Sequence, residues 1–129
     1  MLAVDTNVVV RYLTGDDPAQ AKRARAVIDR EDVLVTATVL LESEWVLRAI
    51  YGFEPARLAM SFEQFAGLPH VQLAQADAIK RALAWFGSGM DFADALHLAG
   101  ADGCDAFVTF DEGFIKSARA IGMPMVRRP

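Results

Sequence analysis

Apolar residues follow two rhythms along this chain. Leu2 to Val4 and Val33 to Val35 are short apolar runs with the length expected of buried strands, Phe107 to Phe110 looks alike, and Val71 to Leu73 is a weaker fourth. Between them the apolar positions fall at helical spacing. Asp17-Pro18 supplies an N-cap and a first-turn residue before AQAKRARAVI, and Glu54-Pro55 opens ARLAMSFEQF in the same manner. VLLESEWVLRAIYG closes at Gly52, and ARAIGMP closes at Gly122 with a proline close behind. Strands separated by helical crossovers predict a parallel sheet with helices on both faces, and in such sheets ligands gather beyond the carboxyl ends of the strands. The short GSG at 87 to 89 is the nearest thing to a linker, so residues 1–129 are expected to form one domain.

Composition narrows the setting. Hydrophobic residues make up 53% of the 129, enough to build a core, yet no apolar run approaches the ~18 residues of a membrane span. The opening MLAVDTNVVVRYL carries Asp5 inside its apolar part and its first positive charge, Arg11, after it, an order that does not suit a signal peptide. The lone cysteine, Cys104, excludes an internal disulfide framework, reads as a small buried hydrophobe, and fits the reducing cytoplasm. A net charge of −4 argues against a surface broadly coated in positive potential, so a nucleic-acid partner must be met locally.

Four of the acids stand apart by context. Asp5 follows LAV at the end of the first predicted strand, and Asp111 ends FVTF. Both fall where a doubly wound fold places its ligands, although each also suits the N-cap of the following helix. Glu42 follows Val39-Leu40-Leu41 one turn before Trp45, and Asp94 sits inside DFADALHLA; a carboxylate in the apolar face of a helix is costly unless something pairs with it. Asp91, one turn before Asp94, reads as the cap of that helix and as a support to the site. Few bases lie nearby in sequence, Arg48 and Lys116 apart.

If the four acids converge, their repulsion must be relieved by raised pKa values or by cations. Mg²⁺ or Mn²⁺ prefers carboxylate oxygen and can hold both the attacking and the leaving oxygen of a phosphoryl group. With two histidines, His70 and His97, and one cysteine, a zinc site of the usual kind is poorly supplied. Thr6, Asn7 and Thr109 add neutral groups beside Asp5 and Asp111 that suit the orientation of a carboxylate or a bound water, or local turn bonding instead.

Asp5-Thr6-Asn7, Glu42 within LLESEWVLR, Asp91-Phe92-Ala93-Asp94-Ala95-Leu96 and Thr109-Phe110-Asp111, taken in this order and spacing, resemble the four acidic motifs of PIN-domain nucleases. The short form with WVLR after the glutamate and DFADALHLA later is similar to the VapC toxins of bacterial toxin–antitoxin modules. The resemblance implies a three-layer α/β/α fold with a central parallel sheet of four or five strands. It implies Asp5, Glu42, Asp94 and Asp111 as the catalytic, metal-holding quartet, with Thr6, Asn7, Asp91 and Thr109 in support. It also implies Mg²⁺- or Mn²⁺-dependent cleavage of RNA, a VapB-type antitoxin as inhibitor, and a homodimer.

An acidic pocket repels RNA until metal fills it, so the substrate backbone needs cations on the rim. Arg11, the cluster Lys22, Arg23 and Arg25, and Lys116 and Arg119 are candidates, each also readable as part of a solvated helix face. Two rivals remain at this level. A phosphotransfer enzyme with Asp5 as nucleophile needs a second acid two positions on, where this chain has Asn7. A noncatalytic binding domain would use the acids as caps. The segment AIYGFEPARLAMSFEQFAGL, with Tyr51, Phe53, Met60, Phe62 and Phe65, suits either a subunit contact or packing within the monomer.

Overall fold

The computed structural model describes residues 1–129 and divides them into two units, Met1–Ala76 and Asp77–Pro129. The first unit contains β1 (Leu2–Ala3), α1 (Thr6–Thr14), α2 (Pro18–Arg30), β2 (Val33–Val35), α3 (Ala37–Ala49), α4 (Pro55–Ala66) and β3 (Val71–Leu73). Its sheet runs β1-β2-β3, every pair parallel, with Leu2 opposite Val33 and Val33 opposite Val71. Parallel neighbours require crossovers, and α1 with α2 supplies the first while α3 with α4 supplies the second. β2 is the central strand, and both Val33 and Val35 are buried, as its apolar run predicts. β1 is an edge of this sheet, and Leu2 stays 48% exposed where a buried strand was expected.

Buried side chains explain why the helices of this unit hold. Val9 and Val10 of α1, Ala21, Ala24 and Ile28 of α2, and Leu40 and Leu47 of α3 are all buried. In α2 the buried residues recur at intervals of three and four, the spacing that puts them on one face. Asp17 caps that helix by accepting the Gln20 N–H at 3.0 Å, with Pro18 in its first turn. Pro55 likewise opens α4, but Glu54 makes no side-chain cap bond. Phe62 and Phe65 are buried in α4, and Phe65 stands 5.6 Å, ring to ring, from Tyr12. Core packing therefore uses both phenylalanines, whereas Met60 is left 64% exposed.

The second unit contains α5 (Ala76–Gly87) from its second residue on, α6 (Phe92–Gly100), β4 (Phe107–Val108), α7 (Glu112–Ala120) and β5 (Val126–Arg127). β4 and β5 pair in parallel, Phe107 opposite Val126. The strand over Phe107 to Phe110 is shorter than its apolar run because Asp111 N–H turns back onto Thr109 Oγ1 at 3.0 Å. β5 has no apolar run to announce it, being a single buried valine beside exposed arginines. Ala82, Met90, Ala95, Leu98, Phe114, Ile115 and Val126 form the core of this unit, with the Phe107 and Phe114 rings 5.1 Å apart. Cys104 is a free, exposed thiol and not the buried hydrophobe expected; it lies in the turns after α6, its N–H bonded to Ala101 O at 3.1 Å. All five strands pair in parallel, which agrees with the α/β architecture, but they form one sheet of three strands and one of two, so neither sheet reaches the four or five strands expected. No helix is long and apolar enough to cross a membrane.

Candidate active site

Asp5, Thr6, Asn7 and Glu42 belong to the first unit, and Asp91, Asp94, Thr109 and Asp111 to the second. Asp5 follows β1 directly and caps α1, accepting the Thr6 N–H at 2.8 Å. The capping role expected as the bland alternative is thus real, but it engages only one carboxylate oxygen of an exposed residue. Thr6 is buried beneath it. Thr36, which follows β2 and caps α3, lies at the same carboxyl edge of the sheet, because β1 and β2 are parallel and in register.

Glu42 lies on α3, a helix packed against α1, but it does not face the apolar side expected of it. It is exposed, as is Trp45 one turn on, at 53%. The buried carboxylate of this helix is Glu44, only 3% exposed, to which Arg48 Nε donates at 2.7 Å. The i, i+4 spacing of Glu44 and Arg48 was the signal available in the sequence, and it lets an exposed arginine reach a buried acid on the same helix.

In the second unit the acids come together. Asp91 caps α6 as expected, its Oδ2 accepting the Asp94 N–H at 3.1 Å. Asp94 therefore sits in the first turn of the helix and not in its middle, half-buried. Asp111 caps α7, its Oδ1 accepting the Phe114 N–H at 3.0 Å. Burial raises the Asp94 carboxyl above its ordinary range; Asp91 and then Asp111 push it the same way, and His97 pulls it down. Three carboxylates on two helix N-termini thus share one electrostatic neighbourhood. The helix dipoles tolerate that crowding, since partial positive charge at an N-terminus favours carboxylates.

The donor chemistry fits a hard divalent cation: oxygen-rich, with His97 exposed and Cys104 the only thiol. No group of three or more His, Cys, Asp or Glu side chains stands close enough together to hold a metal ion.

The basic candidates differ in how firmly they are held. Lys22, Arg23 and Arg25 are exposed on α2, and Lys116 and Arg119 on α7. Arg11, in contrast, is held in a network: Nε donates to Gln20 Oε1 at 2.8 Å, and Nη1 donates to Asp16 Oδ1 at 3.0 Å and to Tyr51 Oη at 2.9 Å. Tyr51 in turn donates to Asp16 Oδ2 at 2.5 Å. That hydroxyl, followed by Thr14, keeps the Asp16 carboxyl below its ordinary range, and the same bond pushes the Tyr51 phenol up. The sequence placed Tyr51 only in an apolar segment and did not reveal its bond to Asp16, 35 positions away.

In an α/β chain, acids follow a parallel strand and cap a helix in the first unit, and cap two helices in the second. The PIN domain family profile matches residues 2–120, nearly the whole chain and both units, so the chain belongs to the PIN domain family. PIN domains are generally nucleases and typically use divalent metal ions. No curated protein or solved structure shows significant similarity to the chain.

Proposed function

We propose that the chain is a metal-dependent endoribonuclease, the toxin of a type II toxin–antitoxin pair, with its two units acting as one nuclease domain. The supporting observation is the acid cluster of the second unit, in which Asp94 is held above its ordinary range by burial, Asp91 and Asp111, in a chain matched to the PIN domain from residue 2 to residue 120. Crowded carboxylates are disfavoured unless protons or cations relieve them.

In this reading Asp5, Glu42, Asp94 and Asp111 hold Mg²⁺ or Mn²⁺, which supplies an acidified water and offsets the charge developing on the phosphate. The protein's own contribution is orientation. Asp91, through the Asp94 N–H, fixes the first turn of α6; Thr109, through the Asp111 N–H, fixes the turn ahead of α7. Thr6 and Asn7 set the start of α1 behind Asp5. Cations on α2 and α7 meet the RNA backbone: Lys22, Arg23, Arg25, Lys116 and Arg119, with Arg11 in the positioning role its network allows. The setting is cytoplasmic, with a homodimer held in check by a VapB-type antitoxin. Exposed apolar side chains in the first unit, Trp45, Ile50 and Met60, are consistent with such contacts.

The test is sequencing of RNA ends after expression of the wild-type chain and of Asp94→Asn side by side, repeated on purified protein with and without chelator. New ends that appear with the wild type and vanish with Asp94→Asn or with chelator are expected. Identical ends in both would remove the proposal and favour a binding domain whose acids are only caps.

A further inference from the structure

Phe110 is the most exposed of the chain's large apolar side chains, at 86%, and it lies between Thr109 and Asp111 of the candidate site. The backbone on both sides of it is held. Thr109 N–H donates to Arg127 O at 3.0 Å, Asp111 N–H to Thr109 Oγ1 at 3.0 Å, and Phe114 N–H to Asp111 Oδ1 at 3.0 Å. A flat apolar ring is therefore presented to water from a fixed turn, where burial would have been the stabilising choice.

An isolated exposed apolar residue needs no special account, but this one has company of a particular kind. Val108 is 49% exposed, and its register partner on β5 is Arg127, also exposed. Register partners on parallel strands project to the same face, so an apolar side chain and a cation share the outer face of this sheet next to Phe110. Arg128 is occupied by Glu112, Nε donating to Oε1 at 2.5 Å and Nη2 to Oε2 at 2.6 Å. Arg127 enters none of the chain's ion pairs; its Nη1 turns to Arg128 O at 3.1 Å. Between Phe107 and Pro129 the bases Lys116, Arg119, Arg127 and Arg128 face only two acids, Asp111 and Glu112, in a chain of net charge −4.

An apolar protein partner would cover the ring, yet it would also strip water from Arg127 without supplying a counter-charge. A nucleotide of single-stranded RNA supplies both complements, a flat base for the ring and a phosphate for the guanidinium. We infer that Phe110 is a stacking platform for an unpaired base of the RNA substrate, with Arg127 on the backbone phosphate beside it. Stacking uses the face of the base and not its edges, so the platform accepts any base and holds the strand next to Asp111. The assignment deepens the nuclease reading and rests on it for the ligand being RNA.

The experiment titrates the full chain, in magnesium buffer, with fluorescein-labelled hexa-adenylate RNA and, as a ligand without bases, with inorganic polyphosphate of matching charge in competition. Anisotropy gives the affinities, and a gel at each point shows the oligonucleotide intact. Phe110→Leu, which keeps an apolar side chain but has no ring, is expected to weaken hexa-adenylate about tenfold and to leave polyphosphate unchanged, whereas Phe110→Trp binds at least as well as wild type. Arg127→Ala weakens both ligands. Adenine H2 and H8 resonances are expected to move upfield on binding to wild type and not on binding to Phe110→Leu, as the ring current of a stacked base requires; a ¹H–¹⁵N spectrum of each variant reports its fold. No binding of hexa-adenylate by wild type, equal binding by wild type and Phe110→Leu, an equal loss for polyphosphate, or self-association of the wild type that Phe110→Leu abolishes without changing RNA affinity would each overturn the inference. Cleavage enters none of these readouts. Metal-dependent cleavage in a chain whose Phe110→Leu variant binds RNA as well as wild type removes the platform alone, and ring-dependent binding without cleavage removes the nuclease alone.

Discussion

Asp111 performs two jobs that one pair of substitutions separates. Its Oδ1 caps α7 through the Phe114 N–H at 3.0 Å, and its charge helps raise the Asp94 carboxyl. Asparagine keeps a capping oxygen and removes the charge; alanine removes both. Since neither replacement ionises, Asp111→Asn and Asp111→Ala should differ by the cap alone, about 1 kcal/mol at any pH. In a chain of 129 residues that difference corresponds to roughly 3–5 °C in Tm. The comparison with wild type is instead pH-dependent. A carboxyl whose folded pKa lies above its unfolded one contributes stability in full at pH below the unfolded value, and that contribution is lost as pH rises through the folded value. Removing the Asp111 charge brings Asp94 back toward its ordinary range, so both variants should lose less stability than wild type between acid and neutral pH. Urea unfolding at several pH values measures the stabilities, and ¹³C-detected titration of the Asp94 side chain measures the shift directly. An Asp94 midpoint that stays put in both variants, or equal stability of the asparagine and alanine forms, would refute this account of the acid cluster.

Two further outcomes follow from other pairings. Arg48→Met leaves Glu44 buried without its 2.7 Å donor and should cost about 2–4 kcal/mol in urea unfolding, whereas Glu44→Leu with Arg48→Met should recover most of that loss; additive losses would show that the pair is not coupled. Tyr51→Phe removes the bond that chiefly holds the Asp16 carboxyl low. A lowered folded pKa gives stability present above the ordinary carboxylate range and lost as pH falls, so this variant should show a flatter acid limb than wild type in Tm against pH.

Much of the fold and part of the site were legible in the sequence, and the legible parts were local. Asp17-Pro18 starts α2, Asp91 caps α6 and Asp111 caps α7, because a cap depends on a side chain and an N–H within three residues of each other. The run Val33-Leu34-Val35 became a paired strand because unbroken β-branched and aliphatic residues suit a buried strand, and Val71-Gln72-Leu73 became its neighbour through alternation, with Val71 and Leu73 buried and Gln72 exposed. Position in an apolar context did not reveal which acid faces inward. Glu42 and Glu44 lie two apart on one helix, and only the packing of α3 decided that the second is buried beside Arg48 while the first is exposed.

What the sequence determined by itself was the alternation of elements, their starts, and the set of carboxylates available, since these depend on neighbours along the chain. Tertiary structure decided the rest: that Val126, in a segment without an apolar run, pairs with Phe107; that Asp91 and Asp111 act on Asp94; that Tyr51 reaches back to Asp16 and locks Arg11 onto Gln20. Each of these is a meeting of residues far apart in sequence. Its free energy comes from burial and electrostatics at a place that exists only once the helices and strands have packed.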